Sequence, residues 1–336
     1  MSQNIKIALC TICSLLITLE AKSAPVARGV SLNGSQAASS LNTALASNLI
    51  LQNQLEKVTD STKNSKHIWA TPYSRSALQN GKDDFGGFKE QSTGFAFGYD
   101  KKIANNFWLG AAVDIVKTSA SVRLSAHADS VESNSYTISL YSKKIFEQNF
   151  ELNTILSYGK DRYSSARAST GYLGANYDGW HSMFSTELLR NFKINEKHII
   201  SPLLQIYGAH TEIASYEESS SLNNSINYIQ NQRESSLISS IGTKYQYKIS
   251  GNESFVFKAL GGYDSLVKQP AASNQNFAQP YTVTYGPKQG RTVLQGSASY
   301  ENSLAENIKA SLGYNYFERA LSYKSHLISA NLKISF

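Results

Sequence analysis

Residues 327–336 read LISANLKISF. Counting back from Phe336, Ile334, Leu332, Ala330 and Ile328 fall on one side, and Ser335, Lys333, Asn331 and Ser329 fall on the other. Successive strand side chains point to opposite faces, so this alternation describes one β-strand with a single apolar face. Chain ends fray unless something ties them down. Apolar alternation that runs to Phe336 therefore calls for a structure that holds the last strand to its tip.

Composition narrows what that structure can be. A chain of 336 residues can form one large all-β domain or two smaller ones. Only 17% of its residues are charged, yet hydrophobics reach just 41% and the mean hydropathy is negative. A helical membrane protein needs runs of about 20 apolar residues, and the sequence contains none. A membrane barrel shows lipid only every second strand residue, so a polar average is compatible with one.

The start of the chain reads as an export signal. Lys6 precedes an apolar core, Ile7 to Leu19, and small residues at Ala21 and Ser23 come just before Pro25. Residues 1–23 are therefore expected to be a signal peptide, with a core too short to span a bilayer comfortably. Both cysteines, Cys10 and Cys13, lie inside it, so no thiol is expected for a disulfide or a metal site after cleavage. Losing Lys6, Lys22 and Glu20 moves the formal charge from +7 to +6. The remaining cations are scattered over turns and alternate strand positions, which argues against a nucleic-acid partner.

Residues 24–34 are too short to form a domain. Beyond them Leu41, Leu45, Leu49, Leu55 and Val58, joined by Ala38, Ala44 and Asn48, recur at three- and four-residue steps without Gly or Pro. This spacing predicts a helix over 35–63, capped near Ser35. Its Asn- and Gln-rich sides suit a moist, confined setting; a solvent-facing helix on some core is the other reading.

From His67 onward the period changes to two. Twelve strands are expected, near 67–78, 91–100, 106–117, 134–143, 149–160, 178–190, 198–209, 235–247, 254–266, 291–301, 308–318 and 323–336. Each is about long enough to cross a bilayer when tilted. Phe95, Phe97 and Tyr99 alternate with Gly94, Ala96 and Gly98, and Leu312, Tyr314 and Tyr316 alternate with Ser311, Gly313 and Asn315. Short links holding KKIANN, KKIFEQN, NFKINEK, KISGNE and ENSLAEN alternate with long Ser- and Asn-rich segments at 79–90, 118–133, 161–177, 210–234 and 267–290. Outer-membrane barrels have short periplasmic turns and long external loops. The expected fold is thus an all-β, twelve-stranded antiparallel up-and-down transmembrane barrel over 66–336, preceded by one α-helix. Closure pairs the last strand with the first and so holds Phe336 at the lipid boundary.

A helix followed by twelve strands resembles the translocator domain of autotransporters, the type V secretion barrels of the bacterial outer membrane. The resemblance runs from Ser35 to Phe336 and is carried by HIWATPYSRSALQN, by GFAFGYDKKIANNFWLGAAVDIVKTSASV and by the closing LKISF. It implies that the helix, with Leu41, Leu45, Asn48, Leu49 and Leu55, threads the pore and links the barrel to an exported passenger. It also implies that Phe336, Ile334, Leu332, Ala330 and Ile328 form a signal read by the outer-membrane barrel-assembly machinery, after passage through the secretory translocon. Two departures from the pattern stand out: residues 24–34 cannot be a folded passenger, and the helix lacks the Asn-Asn pair at which some members cut themselves free. The expected function is an autotransporter-like translocator with a vestigial or missing passenger; the alternative is a stand-alone, porin-like pore or a surface adhesin.

Catalysis is not expected. His67, His127, His181, His198, His210 and His326 are read as isolated and solvated, and His210 with Glu212 and Glu217 is the nearest approach to a constellation. No serine or aspartate motif supplies a nucleophile, base and orienter together, and the spacings match no familiar metal set. Asn48 and Asn53 are the only helix positions considered for self-cleavage. No cofactor or metal is expected, and the partners are the lipid bilayer and the biogenesis machinery, with the barrel a monomer.

Overall fold

The computed structural model describes residues 35–56, 66–80, 87–124, 127–169, 171–220, 226–268, 271–276, 279–286, 289–320 and 323–336. The expected signal peptide, the segment 24–34 and the expected last turns of the helix, 57–63, lie outside the described residues.

Twelve long strands form the wall: β1 (Lys66–Gln79), β2 (Phe88–Ala104), β3 (Phe107–Leu124), β4 (His127–Ile145), β5 (Phe150–Ser169) and β6 (Gly171–Arg190), then β7 (His198–Ile213), β8 (Gln232–Lys248), β9 (Glu253–Asp264), β10 (Thr292–Ala305), β11 (Ile308–Arg319) and β12 (Tyr323–Ser335). Each pairs antiparallel with the next, and β12 pairs with β1 from His67↔Ser335 to Gln79↔Tyr323. The sheet is therefore a closed barrel with no free edge. Phe336 is held as its sequence position demands: its N–H donates to the Lys66 carbonyl at 2.9 Å, and the Lys66 N–H donates back at 3.1 Å.

The seam contains one irregularity. Pro72 has no N–H to donate and normally belongs at strand edges or bulges; here Thr71 and Pro72 drop out of the β1–β12 ladder. The Asn331 amide fills the gap from the lumen side, donating to Thr71 Oγ1 at 2.6 Å and to the Ala70 carbonyl at 3.4 Å.

Side chains sort as the alternation predicts. On β12, Ile328, Leu332 and Ile334 point outward and stay uncovered, while Leu327, Ser329, Asn331 and Lys333 are buried in the lumen. Phe95, Phe97, Tyr99, Leu156, Tyr158 and Leu312 face out in the same way. The inner face departs from the small-or-polar expectation on β1 and β4, which turn Trp69, Tyr73 and Tyr141 inward. These rings fit because the neighbouring strand offers no side chain beneath them. A Cβ on Gly94 would lie 2.2 Å from the Tyr73 ring, and one on Gly98 would lie 2.6 Å from Trp69.

At the short-turn end the connections fall where the sequence places them. Asn106, Gln148 and Asn149 take positive φ there, a conformation Asn tolerates well. At the other end the segments expected as loops are mostly sheet. β3 and β4 continue to Leu124 and His127, and β5 and β6 continue to Ser169 and Gly171. Outside the apolar belt the outer face becomes Ser119, Glu132, Asn134 and Ser164, so the strand signal is lost from the pattern although inward Val131, Tyr163 and Tyr177 still pack. Residues 216–220, 226–229, 271–276 and 279–285 add short strands that pair with one another beyond the rim.

Leu312 and Leu332 lie within the apolar belt on adjacent outward rows, four residues in from Ile308 and Phe336 respectively. Leu312→Arg and Leu332→Arg should each lower stability in bilayers by about 2 to 4 kcal/mol, whereas Ser250→Arg, in the exposed turn between β8 and β9, should change it by less than about 0.5 kcal/mol. Urea titration followed by heat-modifiable gel migration measures this, and equal losses at all three positions would show the lipid-facing rows to be misassigned.

Candidate functional site: the occupied lumen

Among the described residues the lumen holds a single helix, α1 (Gln36–Glu56). Its 21 residues span roughly 30 Å, close to the thickness of a bilayer's hydrocarbon core. Ala and Leu favour the helix and no Gly or Pro interrupts it. Every residue from Gln36 to Glu56 is buried except Ser39, Leu49, Asn53 and Glu56, which are half-buried. The solvent-facing reading therefore fails: the barrel wall surrounds the helix.

Contacts run right around the wall and along its height. At the long-loop end Tyr216 donates to Gln36 Oε1 at 3.2 Å, and Ser40 bonds Asp161 at 3.3 Å, Tyr163 at 2.7 Å and Thr211 at 3.3 Å. Tyr163, Tyr177 and Tyr216 stack in series above this point, with centroids 5.1 and 3.7 Å apart. At mid-height Arg75 of β1 donates to the Asn42 carbonyl at 3.4 Å and to Thr43 Oγ1 at 3.1 Å, and it pairs with Glu90 at 3.0 Å. Ser185 of β6 donates to Asn48 Oδ1 at 3.0 Å. Towards the short-turn end Asn53 donates to Asn315 at 3.2 Å and Lys143 to the Leu55 carbonyl at 3.3 Å. Lys258 there pairs with Glu56 at 3.0 Å and with Glu187.

Apolar packing fills the intervals. Leu41, Ala44 and Leu45 pack with Ala77, Met183, Tyr207, Phe317 and Tyr323. Ile50, Leu51 and Leu55 pack with Trp69, Tyr73, Tyr141 and Leu327. Of the residues assigned to the pore helix from sequence, Leu41, Leu45, Asn48 and Leu55 are buried contacts, and Leu49 lines a small cavity against β11 and β12. Ile50, Leu51, Ser40 and the charged wall residues were missed. The available signal was a charged residue at inward parity, as at Arg75, Asp161, Glu187 and Lys258. Outward, the closing-strand set splits by depth: Phe336 is 62% exposed at the rim and Leu332 45% within the belt.

Two histidines read as solvated are in fact buried. His67 Nδ1 lies 2.5 Å from Asp100, and His181 lies between Asp161 at 3.0 Å and Thr137 at 2.9 Å. The order Thr137, His181, Asp161 has the form of a hydroxyl, base and orienting carboxylate. Its carboxylate, however, also receives Ser40 of the helix and Ser135 of the wall, so the imidazole braces the helix seat. His127 has a side chain outside the described set. His210 bonds Ser235 at 2.8 Å on the outer face, and Glu212 pairs there with Arg233.

A sequence model of the autotransporter β-domain matches residues 68–315. Outer membrane protein B of Rickettsia prowazekii (strain Madrid E) is 23% identical over 309 residues, covering 82% of this chain and 18% of that protein. Putative surface cell antigen sca1 of Rickettsia conorii (strain ATCC VR-613 / Malish 7) is 24% identical over 266 residues, covering 74% of this chain and 14% of its own. The chain thus spans less than a fifth of the length of these curated relatives. Among solved structures, the translocator domain of autotransporter NalP from Neisseria meningitidis matches with TM-score 0.70 at 12% identity, covering 88% of this chain and 98% of that one. The transport unit of the autotransporter AIDA-I from Escherichia coli gives 0.55 at 15%, again covering 88% and 98%.

Lys258 is the cation shared by Glu56 and Glu187, and removing one partner of a buried ion pair costs about 3 to 5 kcal/mol. Lys258→Met should raise amide exchange in the last helical turn, residues 53–56, by more than about tenfold, while exchange near Ser40 stays as in wild type. Exchange at 53–56 that matches wild type would show that the ion pair does not hold this end.

Proposed function

The chain belongs to the autotransporter β-domain family and is an outer-membrane translocator barrel, and from that premise we propose that α1 is the trailing end of an exported segment, kept in the pore as its plug. The polarity of the helix carries this reading. Gln36 lies at the long-loop end beside Tyr216, and Glu56 lies at the short-turn end beside Lys258 and Glu187. Long loops are external and short turns periplasmic in such barrels. The N-terminal end of α1 then faces the external mouth, and β1 starts from the periplasmic rim. The work of the barrel, on this reading, is transport and display by a single chain rather than catalysis.

The helix surface suits passage followed by seating. Most of its side-chain polar contacts are made by hydroxyls and amides, with Glu56 the one carboxylate, and Asn42 and Gln54 have buried side-chain atoms with no protein partner. A few specific bonds, concentrated at Ser40, Asn48 and Glu56, select the final position.

Two measurements test the proposal. An epitope placed ahead of Ser35 should be reached by antibody on intact cells, and one placed at Ser250 should not; the reverse pattern would invert the barrel. In planar bilayers the intact barrel should stay closed, and deletion of residues 35–56 should open a stable conductance. Steady conduction by the intact barrel would favour the stand-alone pore instead.

We further propose that Phe336, with Ile334, Leu332, Ala330 and Ile328 behind it, is read by the barrel-assembly machinery. Support comes from its resemblance to such signals and from a ring that sits exposed at the rim while its backbone closes the seam onto Lys66. Burial of an aromatic ring contributes about 1.5 to 3 kcal/mol, too little to abolish a large barrel. Phe336→Asp should therefore reduce folded barrel far more in cells than on refolding into detergent, and more than Ser335→Asn in either setting. Equal, modest losses in cells and in vitro would leave the residue a packing role only.

A further inference from the structure

The short-turn rim repeats one local sequence: Lys102-Ile103, Lys144-Ile145, Lys193-Ile194 and Lys248-Ile249 each stand where a strand gives way to a turn. Three of these turns are joined into one continuous edge. The Ile145 N–H donates to the Asn106 carbonyl at 2.8 Å, the Asn191 N–H to the Asn149 carbonyl at 3.0 Å, and Lys144 Nζ to the Asn105 carbonyl at 3.4 Å. This edge, from β2 to β7, carries Lys101, Lys102, Lys144, Arg190, Lys193 and Lys197, opposed there by only Glu147 and Glu196. The opposite arc, at the β8–β9 and β10–β11 turns, has the other balance, with Glu253, Glu301 and Glu306 against Lys248 and Lys309.

Aromatic rings at the rim position several of these cations. On the outer face Lys144 lies 5.7 Å from the centroid of Phe107, and Arg190 lies 5.0 Å from Phe150 and 4.8 Å from Phe192, whereas Lys102 lies 5.3 Å from the buried Trp108 on the lumen side of the rim. Interleaved with them, Ile103 (50%), Phe146 (46%), Phe192 (45%) and Ile194 (61%) stand uncovered. The arc also continues the lipid-facing rows. Lys101 and Ile103 follow Phe97 and Tyr99 on β2, Lys144 follows Leu140 on β4, and Arg190 follows Leu188 on β6. Apolar side chains beside snorkelling cations are the arrangement that meets an acyl chain and its phosphate together.

We propose that this arc is a seat for anionic phospholipid of the periplasmic leaflet, with the phosphates on Lys101, Lys144, Arg190 and Lys193 and the acyl chains on Ile103 and Phe192. The carboxylates of the opposite arc repel the same headgroups, so binding is confined to one side of the barrel. A barrel seated this way is tethered in depth and rotation by its lipids as well as by hydrophobic thickness.

Native mass spectrometry of the full-length folded protein, with phosphatidylglycerol or phosphatidylcholine added, tests the assignment. Wild type should retain phosphatidylglycerol preferentially, and Lys101→Glu/Arg190→Gln/Lys193→Glu should bind it roughly tenfold more weakly, with Glu306→Gln unchanged. Should the triple variant fail to fold by heat-modifiability, the exposed pair Lys101→Gln/Lys193→Gln is read instead and should show an intermediate loss. In wild type, raising salt from about 0.05 to about 0.5 M should release the anionic lipid. Equal retention of both lipids, anionic-lipid retention unaffected by these substitutions, or retention insensitive to salt would overturn the proposal.

Discussion

Within hydrocarbon no water can take a backbone N–H or C=O, so each strand must pair along both edges. That requirement makes the contact between β1 and β12 the condition for every other feature. The seam is interrupted once, because Pro72 cannot donate and two residues leave the ladder. Asn331 meets the deficit with a side-chain amide, and it can do so only because its parity places it inside. Closure is thus achieved by backbone along the seam, with a lumen side chain where Pro72 interrupts it.

Once closed, twelve strands define a lumen that admits one helix and inward side chains. Several charges inside are paired: Arg75 with Glu90, Lys143 with Glu151, Arg319 with Asp264, and Lys258 with Glu56 and Glu187. Removing two ions from water is costly unless geometry and further hydrogen bonds compensate. The wall meets that condition largely by itself, and the helix adds hydroxyls, amides, backbone carbonyls and one carboxylate. The helix is thus seated by charged wall residues that meet its hydroxyls, backbone carbonyls and Glu56.

The two faces of each strand answer to different demands. Outward, any apolar residue satisfies lipid, and aromatics collect near the rims. Inward, each residue has an individual neighbour, as with Tyr73 above Gly94, Trp69 above Gly98, and His181 between Asp161 and Thr137. Pattern is therefore informative on one face and nearly silent on the other.

The alternation that ends at Phe336, the twelve period-two segments, the short Lys-Ile turns and the three- and four-residue spacing of the helix are legible in the sequence, because each follows from local geometry and from a lipid that treats all apolar side chains alike. The strand extensions beyond the rim were not legible, since the outer face there turns polar and period two loses the apolar row that lipid imposes, although inward residues such as Val131 and Tyr163 still pack. The helix seat was not legible either. Leu41, Leu45, Asn48 and Leu55 could be assigned to a helix, but their partners, among them Tyr207, Ser185 and Trp69, lie on strands far along the chain. The tertiary structure alone decided that Ser40 meets Asp161, 121 positions away, and that Glu56 meets Lys258, 202 positions away. Closure of the sheet brings those residues to one axis, and no local rule of spacing encodes a neighbour across a pore.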